Sequence, residues 1–295
     1  MRHQARLLLI AVLLTLLSGC GGQQPAATDR PTAAPDVSTA QPAPPAPADS
    51  SAELTVFAAA SLTGAFNELA SGFSAANGNA TVTFNFAGSD QLAQQINQGA
   101  PADVFASANN RQMDAVIQAG DILSGTQRTF ARNRLVVVYP ADNPGKLQSL
   151  KDLARPGVKI VLAAPSVPVG GYALDFLDRA SRLPEYTAAY SETVLKNVVS
   201  YEDNVKAVLS KVTLGEADAG IVYTTDAASV TNGGIATLDI PDDLNTIATY
   251  PIAVTRNAKN ARLAQQFVEF VLSAEGQQIL ARYGFIRADD TGIRD

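Results

Sequence analysis

Residues 54–66, LTVFAAASLTGAF, hold the pattern that decides the fold. Leu54, Val56 and Phe57 make a short buried strand, and Ala58 to Ser61 follow with almost no side chain. A helical pattern begins at once, with Leu62, Ala65, Phe66, Leu69 and Phe73 spaced i, +3, +4, +7, +11. A strand that passes through small residues into a helix leaves the first helical N–H groups bare at the positive end of the helix dipole. Such a junction is an anion site, and Ser61 adds a hydroxyl to it. Taken alone, the stretch is better explained by Ser61 as an ordinary helix cap, and the rest of the chain changes that balance.

The same device recurs along the chain. Thr81 to Phe86 alternates as a strand, then Ala87-Gly88-Ser89-Asp90 leads into a helix with Leu92 and Ile96 on its apolar face and Gly99 as its stop. Val104-Phe105-Ala106 is a third strand, before a helix carrying Met113, Val116 and Ile117. Leu135–Tyr139 is a continuous apolar run, as in a fully buried strand. Further on, Lys159 to Ala163 is a strand, Pro165 to Gly171 a loop, and Ala173, Phe176, Leu177 and Ala180 share a helix face. Asn197 to Ser200 is strand-like. Glu202-Asp203-Asn204 then opens a helix with Val205, Val208, Leu209 and Val212 inward, Asn204 being the N-cap. Ala219 to Tyr223 is a strand ending on a tyrosine, and Tyr250 to Thr255 is the last buried strand, followed by two helices. Strands alternating with helices at this density predict an α/β fold with mostly parallel sheets. Ligands of such sheets sit at the carboxyl ends of strands, which here are the junctions at Ser61, Ser89, Val169-Gly170, Asn204-Val205 and Tyr223. Lys206 is the one basic residue near any of them, and is expected in solvent beside Glu202 and Asp203.

Composition excludes several function classes. Arg2 and Arg6 flank an apolar run, Leu7 to Leu17, too short to span a bilayer, and Leu17-Ser18-Gly19-Cys20 follows. Residues 1–19 are therefore expected to be a signal peptide. Residues 21–52 hold seven of the sixteen prolines among Ala, Ser, Thr and Gln, and form a tether with a coil reach on the order of 30 Å. Without Arg2 and Arg6 the 22 basic residues become 20 against 28 acidic ones, a net charge of −8. That balance argues against nucleic acid as a partner. Any anion must then be bound by local dipoles, since the overall field repels it. His3, the only histidine, lies in the signal segment, so the rest of the chain has no imidazole for a triad or a metal site. Ser61 sits outside any Gly-x-Ser-x-Gly elbow, and no P-loop, Gly-x-Gly-x-x-Gly or acidic calcium loop is present. An enzyme is not expected, nor a cofactor.

The ordered set T-V-F-A-A-A-S-L-T (55–63), F-A-G-S (86–89), G-A-P-A-D-V-F-A-S-A (99–108), V-P-V-G-G-Y-A (167–173), E-D-N-V-K-A-V-L (202–209), G-I-V-Y-T-T-D-A (220–227) and Y-P-I-A-V (250–254) resembles the periplasmic molybdate-binding proteins of ABC importers. The segment ending at Cys20 resembles a lipoprotein signal. That resemblance implies lipidation of Cys20 and an extracytoplasmic, membrane-anchored monomer that delivers its ligand to an ABC permease. It also implies a two-lobed type II periplasmic binding protein with residues 53–134 plus 256–295 as lobe 1 and 135–255 as lobe 2. Leu135–Tyr139 and Tyr250–Thr255 are the expected hinge strands. By the same resemblance the oxyanion is held by the hydroxyls of Ser61 and Ser89, the backbone N–H groups of Val169 and Val205, and the hydroxyl of Tyr223. Molybdenum enters only inside the bound oxyanion. Asp90 departs from the family pattern, where a second small hydroxyl residue is usual, and its carboxylate must point away from a dianion. Molybdate or tungstate is a full dianion with no proton to donate, so a site made only of donors suits it, whereas hydrogen phosphate also needs an acceptor. Sulfate, or another small oxyanion, is the alternative ligand.

Overall fold

Six strands share the sheet built around β1 (Glu53–Ala59) in a computed structural model that describes residues 52–290. The expected signal peptide, the lipidation site Cys20 and all but the last residue of the tether lie outside the described residues. β1 runs through a single turn of 3-10 helix (Ala60–Leu62) into α1 (Thr63–Ala76), whose buried face is Ala65, Phe66, Leu69 and Phe73, as the spacing predicts. β2 (Thr81–Ala87) and β3 (Val104–Ala106) flank β1 in parallel, each followed by a helix, α2 (Ser89–Asn97) and α3 (Asn110–Ala119). Alternate residues face opposite sides of this sheet. Phe57, Phe105 and Ala253 meet Leu92, Ile96, Met113 and Val116 of α2 and α3. Val56, Val104 and Ile252 face the core that α1 shares with the C-terminal helices. Ile117 was expected on the buried face of α3 but is 38% exposed, Met113 and Val116 alone filling that seam.

The order of the first sheet is β11-β4-β10-β3-β1-β2, where β4 is Arg128–Asn133, β10 is Ala248–Val254 and β11 is Ile286–Arg287. The second sheet, β7-β6-β8-β5-β9, contains β5 (Leu135–Pro140), β6 (Ile160–Ala163), β7 (Val198–Glu202), β8 (Ala219–Tyr223) and β9 (Ile235–Asp239). Helices α4 (Pro168–Ala180), α5 (Tyr190–Lys196), α6 (Val205–Thr213) and α7 (Thr224–Ala228) belong to it, and α8 (Ala261–Leu272) and α9 (Ala274–Arg282) to the first. Each sheet is mixed. The half that follows strand-to-helix junctions is parallel, and the half formed by β4 and β10, or by β5 and β9, is antiparallel. Mostly parallel sheets were expected because β4, rich in polar residues, and the short β9 give little strand signal.

The passages between sheets lie just outside the two expected hinge strands. β4 continues through Asn133 and Arg134 into β5, which belongs wholly to the second sheet. The return is made by residues 240–247, and β10, expected to cross, is an inner strand of the first sheet. The two passages are bound together. Arg134 and Asp242 form an ion pair, and Asn245 accepts from the N–H of Leu135 at 3.0 Å while donating to its carbonyl at 2.9 Å. Within β10, Pro251 has no N–H for the ladder, and the register with β4 shifts between Tyr250 and Pro251.

An aromatic cluster locks the outer layer of the first sheet. Phe66 is fully buried, with ring centroids 5.7 Å from Phe130 of β4 and 6.1 Å from both Phe84 of β2 and Phe267 of α8. Phe66→Ala removes a ring that three elements share, and should cost about 3–5 kcal/mol of stability in chemical denaturation. A loss under about 1 kcal/mol would mean that the cluster can collapse onto the space.

Candidate anion-binding site

Five junctions where strand or loop gives way to helix end at one small cavity. Its walls are Ala59, Ala60 and Ser61 before α1, Ala87, Gly88 and Ser89 at the start of α2, and Ala108 after β3. From the second sheet come Val167, Pro168 and Val169 at the start of α4, Asn204 and Val205 at the start of α6, and Tyr223 before α7. Ser61, Ser89, Val169, Val205 and Tyr223 are thus brought to a single place from two sheets, and all are buried. The cavity is small and lies where these junctions converge.

Local sequence explains each wall. Pro168 opens α4 where a missing N–H costs nothing, and Val169 presents the first free N–H of that helix. Asn204 caps α6, accepting from Ala207 N–H at 3.1 Å, so Val205 N–H is left unused by the helix. A Cβ on Gly170 would sit 2.2 Å from the Ala164 carbonyl, so only glycine lets the first turn of α4 press against the end of β6. Ser61 is not a helix cap: it makes no capping bond, and its Oγ lies 3.1 Å from the Tyr250 hydroxyl. Ser89 is the first residue of α2, and its Oγ accepts from Ala108 N–H at 3.0 Å. The Tyr223 hydroxyl is buried and makes no hydrogen bond of standard geometry to any of the described residues.

Charge is kept out of the cavity. Asp90 is not among its walls. One of its carboxylate oxygens accepts from Ser166 Oγ at 2.7 Å across the cleft, so it points to the facing lobe rather than to solvent. Gln112 Nε2 also reaches across, donating to the Ser166 carbonyl at 3.0 Å. The lobes approach so closely here that a Cβ on Gly88 would lie 2.5 Å from the Asp203 carbonyl. Lys206 does not lie in solvent with Glu202 and Asp203. Its Nζ is 2.9 Å from the fully buried carboxylate of Asp226, and Glu202 pairs instead with Lys211. Burial pushes the Asp226 carboxyl up, and the Lys206 ammonium pulls against that shift. No residue within reach of an ion in the cavity therefore carries an unbalanced positive charge, and the donors on offer are neutral.

Sequence reasoning did not find Tyr250, Asn133, Ser166, Gln112 or Asp226. Tyr250 was legible only as a buried strand residue, and the others carry no local pattern.

A cleft between two α/β lobes, walled by helix N-termini, is the architecture of a two-lobed solute-binding protein. Residues 54–286 match the family model of bacterial extracellular solute-binding proteins, and the chain belongs to that family. It is 39% identical over 280 residues to the molybdate-binding protein ModA of Mycobacterium tuberculosis, covering 95% of this chain and 96% of that one. It is 33% identical over 239 residues to the molybdate-binding protein ModA of Escherichia coli, covering 79% of this chain and 88% of the other. Among solved structures, the periplasmic molybdate-binding protein of Azotobacter vinelandii superposes with a TM-score of 0.67 at 25% identity, over 79% of this chain and 98% of that one.

The buried phenols set a pH limit. Burial raises the Tyr223 and Tyr250 hydroxyls well above the ordinary tyrosine value, neighbouring Tyr250 adding to the shift at Tyr223. A folded-state pKa above the unfolded one contributes stability below about pH 10 that is lost as pH rises through the folded values. The urea midpoint should be flat near neutrality and fall above about pH 10, with a shallower fall in Tyr223→Phe. Equal slopes for the two proteins would place Tyr223 ionisation at an ordinary value.

Proposed function

We propose that this chain is the receptor of an ABC importer for molybdate, with tungstate as an equivalent ligand. The observation that carries the reading is the cavity itself, where every polar group facing an ion is a neutral donor from hydroxyls or helix N-termini. Such groups offset a dianion in a water-excluded cleft and offer nothing to a protonated one. The likeness to molybdate-binding proteins over nearly the whole chain supports the same ligand. Sulfate shares the charge and shape but is smaller, so discrimination rests on the fit of the walls.

In this reading Ser61, Ser89 and Tyr223 donate from their hydroxyls, and Val169 and Val205 from their backbone. The ligand is held and released unchanged. Both serine oxygens are engaged by neighbouring groups with no general base beside them, an arrangement suited to binding and not to attack. The chain is anchored through a lipid on Cys20, acts outside the cytoplasm as a monomer, and hands its ion to the permease when the cleft opens.

The lobes are joined at the cavity by hydrogen bonds from Ser166 and Gln112, so ligand capture and closure are one event. Calorimetry with molybdate, tungstate, sulfate and inorganic phosphate tests the assignment. Molybdate should bind with one site per chain and tighter than sulfate, and affinity should vary less than about threefold between pH 6 and 9, since no phenol or imidazole titrates there. Ser61→Ala, Ser89→Ala and Tyr223→Phe each remove a hydrogen bond to a charged oxygen worth about 1.5–3 kcal/mol, a loss of about 10- to 150-fold. Tighter binding of sulfate than of molybdate would overturn the ligand assignment.

A further inference from the structure

The two serines of the cavity are held in the same hydrogen-bond polarity by unrelated routes. At Ser89 the route is short. A main-chain N–H, that of Ala108, donates to Oγ at 3.0 Å, so the serine's own proton is the one left for the cavity. At Ser61 the route is a chain of side chains that begins at the passage between the lobes.

Asn133 is fully buried at the end of β4. Its Oδ1 lies 2.9 Å from the N–H of Arg134 and accepts the Thr224 hydroxyl at 3.1 Å. A main-chain N–H can only donate, so the amide orientation is determined: the oxygen faces Arg134, and Nδ2 faces Thr225 Oγ1 at 2.8 Å and the Tyr250 hydroxyl at 3.4 Å. The Tyr250 and Ser61 hydroxyls lie 3.1 Å apart, close enough for either to donate, and a phenol oxygen that receives from Asn133 favours the direction Tyr250 to Ser61. Burial keeps that phenol protonated at any physiological pH. Ser61, having accepted, has its own proton to offer to the cavity.

We propose that Asn133 and Tyr250 are positioning residues that set ligand specificity, by turning the Ser61 hydroxyl proton toward the cavity through the relay Asn133 to Tyr250 to Ser61. The inference rests on the oxyanion-receptor reading and deepens it. A serine free to rotate can donate to one ion and accept from another, and so does not distinguish molybdate from a phosphate that still carries a proton. A serine held with its proton turned to the ion presents a donor there and no lone pair, so a protonated ion loses the acceptor its own proton needs. Selection against phosphate, the commoner tetrahedral anion, is on this account a property of residues that never touch the ligand.

The test is calorimetry on the full chain with molybdate and with inorganic phosphate at pH 7. Tyr250→Phe keeps the ring and its packing against Phe130, Tyr223 and Phe285 but leaves Ser61 without its donor. Molybdate binding should weaken by about 5- to 30-fold while phosphate binding holds or tightens, so the preference between them falls at least about tenfold. Because the effect passes through Ser61, Tyr250→Phe should change molybdate affinity less than about twofold in a Ser61→Ala background. Asn133→Asp offers Tyr250 a second acceptor, reverses the relay and turns the Ser61 lone pairs toward the ion, so molybdate should weaken by more than about 100-fold. A loss by the same factor for both anions in Tyr250→Phe, or additive losses in the double variant, would show that Tyr250 is structural and overturn the proposal. Wild-type protein that binds neither anion would instead overturn the receptor reading itself, before any variant is compared.

Discussion

The meeting of helix N-termini at one cavity is the constraint on which the rest of this structure depends. An anion taken out of water needs compensating charge, and a chain with a net charge of −6 supplies none at long range. Bare N–H groups at the starts of helices supply it locally, but only if several can approach one point. That requirement explains the small residues at each junction. Alanines end β1 and β2, Gly88 lets α2 come against the facing lobe, and Gly170 lets α4 press on the end of β6. Larger side chains there would hold the dipoles apart and leave the cavity too wide for one ion.

Two sheets are needed because no single sheet can surround an ion with the carboxyl ends of its strands. The chain passes between them at Asn133-Arg134 and through residues 240–247, and those passages do more than connect. Asn133 bonds Tyr250 and Thr225, so the floor under Ser61, the start of α7 beside Tyr223 and the route between lobes share one polar cluster. On the other side of the cavity Ser166 meets Asp90 and Gln112 across the cleft. Movement of one lobe against the other therefore disturbs the donors themselves, which ties capture and release to opening in a way that a rigid pocket could not.

The treatment of full charges is consistent with this design. Lys206 lies one residue past the Val205 N–H, close enough to offer a cation to the cleft, yet it is bound to a carboxylate with no solvent exposure. A buried pair of this kind contributes little net stability, because desolvation consumes most of the attraction. Its effect here is to leave the neighbourhood of the cavity without an unbalanced cation, so that a dianion can be bound by many modest bonds and still be released. Asp90 is treated differently: one carboxylate oxygen accepts from Ser166 across the cleft, and the other is buried beside Gly88 without a hydrogen-bond partner among the described residues.

The sequence alone determined the α/β class and the positions of the strand-to-helix junctions, and it singled out Ser61 and Ser89 and, through resemblance, Val169, Val205 and Tyr223, which the structure brings to one cavity. These are local properties. Periodicity reports which face of an element is buried, and small residues before a helix report a bare N-terminus, whatever the rest of the chain does. Only the tertiary structure decided that β10 is an inner strand of the first sheet, that the sheets are half antiparallel, and that Lys206 seeks Asp226 rather than Glu202. It alone brought Tyr250 and Asn133 beside Ser61, residues separated from it by 189 and 72 positions in the chain. Such pairings depend on strand register and on the direction of individual donors, and neither leaves a periodic trace in the residues that make them.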